Sequence, residues 1–182
     1  IMKTGTQAQK IKLLVLDVDG VLTGGQLVFG PDGEAMKVFH VHDGLGITAA
    51  HRAGLKTAVI TGRESEMVRR RGVELNITEV CQGAMDKVAR LEELAVKFGL
   101  ALEEICYIGD DLNDLAVMLR VGLACAVANA AAEVKDAAHY VTTREGGQGA
   151  VREVVELVLK AQGKWDWVVE SYQHPDSGVT KQ

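Results

Sequence analysis

The chain has 182 residues, 47% of them apolar and 25% charged, with a net charge of −5, which suits one domain with a full core and is short for two ordinary ones. That balance argues against a nucleic-acid partner, which would require clustered Lys and Arg; the nearest cluster, Arg69-Arg70-Arg71, reads as the solvated side of a helix. No run approaches the ~20 apolar residues that span a bilayer, and Met2-Lys3-Thr4-Gly5 reads as a polar opening and not a signal peptide, so a cytoplasmic protein with no membrane partner is expected.

In chain order, short apolar runs alternate with helical patterns, the signature of a parallel sheet with helices on both faces. Residues 11–16 form the first buried strand, ending on Asp17. Segments 26–29 and 35–41, joined by Gly30-Pro31-Asp32-Gly33, are predicted to make a β-hairpin. A helix opens at Asp43-Gly44, with Asp43 a candidate N-cap. Residues 56–60 are the second parallel strand, followed after Thr61-Gly62-Arg63 by a helix over 64–72. A short strand at 79–81 leads to a helix over 85–98, whose Val88, Leu91, Leu94, Ala95 and Phe98 share one face. A strand over 104–108 ends at Gly109-Asp110-Asp111. Weaker strands at 121–127 and 139–141 flank an alanine-rich helix, and a last helix covers 149–161.

The expected fold is therefore α/β, a doubly wound, mostly parallel sheet with a hairpin after its first strand. Residues 1–164 form one domain and 165–182 a tail without clear period. The intervals between polar strand ends hold single helices and the hairpin, with no room for an inserted lid. Cys81, Cys106 and Cys125 lie in or beside apolar stretches without C-x-x-C or Cys/His spacing, so reduced core thiols are expected and no zinc site. His51, His139 and His174 carry no partner pattern and read as structural or surface residues.

In open α/β sheets ligands bind beyond the carboxyl ends of the strands, where three polar clusters should converge. Asp17-Val18-Asp19-Gly20-Val21 places two carboxylates one residue apart, and Gly20 permits the turn that lets both face one pocket. A D-x-D-G run also occurs in calcium loops, but the remaining EF-hand ligands are absent and a strand precedes it. Thr61-Gly62-Arg63 offers a hydroxyl and backbone N–H groups at a helix start, suited to a phosphate oxygen. Lys87 is a candidate counter-charge, and Gly109-Asp110-Asp111-Leu112-Asn113-Asp114 is a second acidic strand end. Carboxylates gathered around one pocket repel unless a cation sits among them, and hard oxygen ligands suit Mg²⁺. Nucleophile, metal and cations together are what phosphoryl transfer requires.

With those four motifs in order, the sequence resembles the haloacid dehalogenase superfamily of phosphatases. The resemblance implies that Asp17 forms an aspartyl-phosphate and that Asp19 protonates the leaving alkoxide, then serves as base toward water. It also implies that the Asp17 side chain, the Asp19 backbone carbonyl and Asp110 hold Mg²⁺. Thr61 and Lys87 would grip the phosphoryl oxygens, with Asp111 or Asp114 orienting Lys87 and the metal's waters.

The likeness extends to about residue 164. Val41-His42-Asp43-Gly44-Leu45-Gly46-Ile47, Ile60-Thr61-Gly62-Arg63, Val68-x-x-Arg71, Gln82-Gly83 and Gly146-Gly147-Gln148-Gly149-Ala150-Val151-Arg152-Glu153 resemble the 3-deoxy-D-manno-octulosonate 8-phosphate phosphatases. These are capless tetramers serving lipopolysaccharide synthesis, in which a neighbouring subunit and its C-terminal tail help to close each site. The resemblance implies a homotetramer, a sugar-acid phosphate substrate, and contacts to it from Asp19, His40, His42, Asp43, Gly44, Thr48, Gly62, Arg63, Arg71 and Lys87. Arginine suits a planar carboxylate, and Arg63 stands where relatives acting on nine-carbon acids tend to carry glutamate. His42 and Thr48 stand where the family often carries arginine. Two other readings stay open: a nonulosonate 9-phosphate phosphatase, and a non-catalytic tetramerisation module of the kind fused to sialic acid activating enzymes. Gly146-Gly147-x-Gly149 lacks the Lys-Ser/Thr of a P-loop and is expected to set the start of the last helix near a subunit contact.

Overall fold

The runs Leu13–Leu16 (β1), Lys56–Ile60 (β4), Glu79–Cys81 (β5), Ile105–Gly109 (β6), Leu123–Ala126 (β7) and Tyr140–Val141 (β8) assemble into one sheet, and Val28–Gly30 (β2) pairs with Gly33–Met36 (β3) in a separate hairpin. This computed structural model describes residues 2–174. The sheet order is β5-β4-β1-β6-β7-β8 with every neighbouring pair parallel. The chain leaves β1 for β4 and β5 on one side, then crosses back to β6 on the other. That reversal leaves a crevice at the carboxyl ends of β1, β4 and β6, the expected place for a ligand.

β1 is buried along its whole length because it lies between β4 and β6, which is why it reads as an unbroken apolar run and not an alternating one. Helices cover the sheet in two layers. Val41–Arg52 (α2) packs on Ala150–Ala161 (α7), and Met2–Gln9 (α1) joins them; Lys87–Phe98 (α4), Leu115–Met118 (α5) and Ala132–Ala137 (α6) form the other group. α7 buries Ala150, Val151, Val154, Val155, Val158 and Leu159, the stripe that a 3.6-residue period places on one face. Glu66–Glu74 (α3) leads into β5, and its Arg69 and Arg70 pair with Glu66 on the solvated side, as expected of that basic run.

Three sequence expectations are corrected. The opening segment is the helix α1, tied to the body by Gln7, which donates to the Gly122 carbonyl at 2.8 Å. Residues following Gly163 are not irregular: Trp165–Gln173 forms α8, in which Trp165, Val168, Val169 and Tyr172 recur at helical spacing and Val168 is buried. The rest of the predicted tail, 175–182, lies outside the described residues. Asp43 does not cap α2; His40 does, its Nδ1 accepting from the His42 N–H at 3.2 Å. Cys106 and Cys125 are buried free thiols with sulfurs 3.8 Å apart on adjacent strands, and Cys81 is half-buried and free. His51 meets the Thr57 hydroxyl at 2.7 Å, and His139 accepts from the Ala124 N–H at 2.9 Å, both structural roles.

Candidate active site

Asp17 follows the last residue of β1, and its N–H donates to the Ile108 carbonyl on β6, extending the ladder by one step beyond the assigned strand. The chain then turns back on itself: the N–H groups of Val21, Leu22 and Thr23 all bond to the Val18 carbonyl. Gly20 makes this possible. Its φ is +93°, and a Cβ there would sit 1.9 Å from Asp110 Oδ2, so both the backbone conformation and the approach of β6's acidic end require glycine.

Lys87 is the first residue of α4, where the helix dipole disfavours a cation. The position is explained by what it faces. Lys87 Nζ lies 2.9 Å from Asp17 Oδ2 and 2.8 Å from Asp114 Oδ1. Burial by itself would lower the pKa of this ammonium, but the two carboxylates outweigh it and hold it above its ordinary value. Asp114 is fully buried and accepts from the Tyr107 hydroxyl at 2.6 Å and the Asp110 N–H at 2.9 Å. The Asp114 oxygens are thus engaged by Lys87, Tyr107 and the β6 loop backbone, so of the two residues expected to support Lys87 it is Asp114 that touches it. Asp111 instead caps its own short turn, accepting from the Leu112 N–H at 2.8 Å.

Carboxylate oxygens of Asp17, Asp110 and Asp114 lie within 4.8 Å of one another. Three acids in so small a space are strained electrostatically. Burial, then the Asp114 charge, raises the Asp17 pKa to about 6 despite Lys87; burial, then Asp17 and Asp114, raises Asp110 to about 7. One lysine does not neutralise this cluster, and its donors are hard oxygens. A divalent cation such as Mg²⁺ fits that donor set; each Asp114 oxygen already meets two donors and each Asp17 oxygen one, which leaves Asp17 and Asp110 as the freer carboxylates.

Beside these acids a cavity of about 270 Å³ is lined by Asp17, Asp19, Thr61, Gly62, Arg63, Asp110, Asp111 and Asn113, with Gly25 and Leu27 from the segment before the hairpin. Thr61 is buried at the end of β4, its N–H donating to the Cys81 carbonyl at 2.9 Å. The structure therefore brings together Asp17, Asp19, Thr61, Gly62, Arg63 and Asp110 around one space, with Lys87 and Asp114 directly behind Asp17.

His40, His42, Asp43, Gly44, Thr48 and Arg71 do not line that cavity. Asp43 is buried and accepts from the N–H groups of Gly149 at 3.3 Å and Arg152 at 2.9 Å, so it caps the start of α7 from a distance. Arg71 pairs with Glu74 at 2.8 Å and packs over Gly44, where a Cβ would meet its Nη2 at 2.5 Å. The His40 and His42 rings stand edge to face with centroids 4.9 Å apart, and the Thr48 hydroxyl donates to the Gly44 carbonyl within α2.

Two residues that sequence reasoning missed reach the site from the hairpin. Lys37 Nζ lies 2.5 Å from Asp19 Oδ1 and 2.9 Å from Glu34 Oε1. Burial would raise the Glu34 pKa, but Lys37, then Ser65 and lastly Arg63, outweigh it and hold the carboxyl below its ordinary value. The sequence carried one faint signal, a Glu and a Lys three apart beside a turn.

An acidic strand-end crevice on an unlidded doubly wound sheet, with a lysine bridging two aspartates, defines the class of haloacid dehalogenase-like hydrolases, and the model of that family matches residues 72–154. The chain is 46% identical over 160 residues to the 3-deoxy-D-manno-octulosonate 8-phosphate phosphatase KdsC of Escherichia coli K12, covering 88% of this chain and 85% of the relative. It superposes with a TM-score of 0.93 on the Moraxella catarrhalis 3-deoxy-D-manno-octulosonate 8-phosphate phosphatase solved with magnesium ion, phosphate ion and a KDO molecule, at 42% identity over 95% of this chain and 99% of that one. The corresponding Yersinia pestis structure gives a TM-score of 0.88 at 43% identity, covering 90% and 89% of the two chains. The chain belongs to the 3-deoxy-D-manno-octulosonate 8-phosphate phosphatase family.

Proposed function

We propose that this protein hydrolyses 3-deoxy-D-manno-octulosonate 8-phosphate to the free sugar acid and phosphate, with Mg²⁺ as cofactor. The observation that carries the reading is the Lys87 bridge between Asp17 and Asp114 beside Asp110 at the switch point of the sheet. Asp17 is the nucleophile: its carboxylate attacks phosphorus in line, and the ester oxygen leaves as Asp19 gives it a proton. Asp19 then takes a proton from the water that cleaves the aspartyl-phosphate. Thr61 and Lys87 hold the phosphoryl oxygens, and Lys87 offsets charge that builds there. Asp17, Asp110 and the Asp19 backbone carbonyl would hold Mg²⁺, which when bound screens the acids from one another and from the phosphate.

Arg63, 44% exposed at the cavity rim, is suited to the substrate's carboxylate. The same residue stands against the nonulosonate reading. The assembled Asp17, Lys87 and Asp110 stand against a non-catalytic module. A homotetramer is supported by apolar side chains left in solvent around the hairpin and the start of α2: Phe29 is 64% exposed, Val38 67% and Val41 74%. In that assembly His40, His42, Gly44, Thr48, Arg71 and the tail beyond α8 would serve a neighbouring copy's site. Among the described residues no helix is long and apolar enough to cross a membrane; a cytoplasmic location and a step toward lipopolysaccharide belong to the same reading.

The test is phosphate release with Mg²⁺ from the eight-carbon 8-phosphate, nine-carbon 9-phosphates and simple sugar phosphates. Preference for the first, lost on adding EDTA, is expected. Equal turnover of all three would remove the specificity, and no release from any would favour the assembly module.

A further inference from the structure

Asp19 and Arg63, which line the cavity, join Lys37 and Glu34 of the hairpin segment in a closed ring of alternating sign. Lys37 Nζ touches Asp19 Oδ1 at 2.5 Å and Glu34 Oε1 at 2.9 Å, while Arg63 approaches Asp19 Oδ2 and Glu34 Oε1 from the other side, each at 3.8 Å. The members are not equivalent. The Lys37 side chain is 1% exposed and Arg63 is 44% exposed. A buried ammonium is costly unless paired, so Lys37 is held where it is by both acids and cannot drift as a surface lysine does.

The consequence falls on Asp19. Lys37 takes Oδ1 in a hydrogen bond, whereas among the described residues Oδ2 has no hydrogen bond and Arg63 Nε stands 3.8 Å from it. One oxygen is anchored and the other is not, which fixes the direction in which the free oxygen points. We propose that Lys37 is a positioning residue for proton transfer: carried by the hairpin and steadied by Glu34, it aims the Asp19 carboxyl at the leaving oxygen of the ester. The inference rests on the phosphatase reading above and deepens it. In the first half-reaction the Asp17 oxygen bonds to phosphorus as the ester P–O bond breaks, and the Asp19 proton passes to the departing alkoxide. In the second, water oxygen bonds to phosphorus, the Asp17–phosphorus bond breaks, and Asp19 regains a proton from that water. Glu34 shares the ammonium, so its charge is not spent on Asp19 alone.

The same contacts would also serve a plainer role. A two-stranded hairpin is marginal by itself, and Lys37 could simply tether it to the catalytic loop. The two roles separate by leaving group. An alkyl phosphate needs a proton on its departing oxygen; p-nitrophenyl phosphate, which leaves as a stabilised phenolate, does not. The measurement is kcat/KM, which reports phosphoryl transfer to Asp17 and is blind to the later hydrolysis common to both substrates.

For Lys37→Met we expect kcat/KM on the eight-carbon sugar-acid phosphate to fall roughly 30- to 100-fold, the low end of what general acid catalysis supplies, and p-nitrophenyl phosphate to fall less than about 3-fold. Lys37→Arg should recover most of the loss, and Glu34→Gln should lie between. The Mg²⁺-induced rise in Tm should be unchanged in all three. An equal loss on both substrates would overturn the proposal in favour of a tether, and so would no loss on either. If the wild type ignores the sugar-acid phosphate but cleaves other alkyl phosphates, the substrate reading fails and the same comparison, run on the best alkyl ester, still decides the role of Lys37.

Discussion

Tyr107 donates its hydroxyl hydrogen to Asp114 Oδ1 at 2.6 Å, wholly inside the protein. Tyr107 lies within β6 and Asp114 at the end of the turn after it, so the sheet itself sets the carboxylate that sets Lys87, which in turn faces Asp17. Burial, then the Asp114 charge, pushes the phenol's pKa well above its ordinary value, so it stays a donor at any working pH. Tyr107→Phe should cost about 1–3 kcal/mol of stability, the price of a lost hydrogen bond to a buried charge, read from urea unfolding. Asp114→Asn should cost more activity than Tyr107→Phe, because it releases Lys87 as well. Equal phosphate release from the two variants would contradict this chain of support.

Asp17→Asn should abolish turnover without unfolding the protein. The substitution removes the nucleophile and also one of three crowded acids, so Tm in the absence of metal should stay level or rise. The pair of measurements is phosphate release and thermal unfolding by circular dichroism. Activity within tenfold of wild type would remove Asp17 from its role.

The raised Asp17 and Asp110 values, about 6 and about 7, give a signed prediction for pH. Without metal, the folded state holds these two protons more tightly than the unfolded chain. Their contribution to stability is therefore full below the ordinary carboxyl range and is lost as pH rises toward 7. Mg²⁺ competes with those protons, so its effect runs the other way. At one fixed concentration, a hundredfold above its Kd at pH 8, Mg²⁺ should raise Tm by roughly 5–10 °C at pH 8 and by much less at pH 5, where protons weaken its binding. A shift of the same size at both pH values would contradict the assignment of Asp17 and Asp110 as ligands.

Gly20→Ala should lose Mg²⁺ binding and activity together. The added Cβ meets Asp110 Oδ2 at 1.9 Å and takes a left-handed φ of +93°, so Asp110 or the Asp17 loop must move. Titration calorimetry with Mg²⁺ should show affinity at least about tenfold weaker, as misplacing a metal ligand does. Unchanged affinity would mean that Asp110 does not need its present place.

Phe29→Asp should dissociate the proposed homotetramer. Phe29 sits on the hairpin with 64% of its surface in solvent, and a charge there would have to be desolvated in any contact between copies. Sedimentation velocity should find a tetramer in the wild type and smaller species in the variant; a wild-type monomer would refute the tetramer directly.

The sequence by itself determined the sheet and the chemistry at its edge. Buried parallel strands read as unbroken apolar runs, and the polar clusters after 11–16, 56–60 and 104–108 lie at strand ends because a parallel sheet puts all those ends on one side. Asp17, Thr61 and Asp110 stood out for that reason, whereas Lys87, at the start of a helix, was read only as a counter-charge to them. Helix α8 was readable but obscured, since aromatic residues at spacing three and four lie among charges. What only the tertiary structure decided were contacts between segments that no local period links. Asp43 looked like a cap for its own helix and caps α7 instead, 106 residues on at Gly149, because α2 and α7 pack side by side. Gly146 read only as part of the entry to the last helix; a Cβ there would meet the Gly20 carbonyl at 1.6 Å, so it also lets one loop lie against the catalytic turn. Lys37 and Glu34 carried no motif, because their meaning arises only when the hairpin folds back over Asp19. Spacing along the chain records repeating geometry within an element, whereas a single contact between elements leaves no period to read.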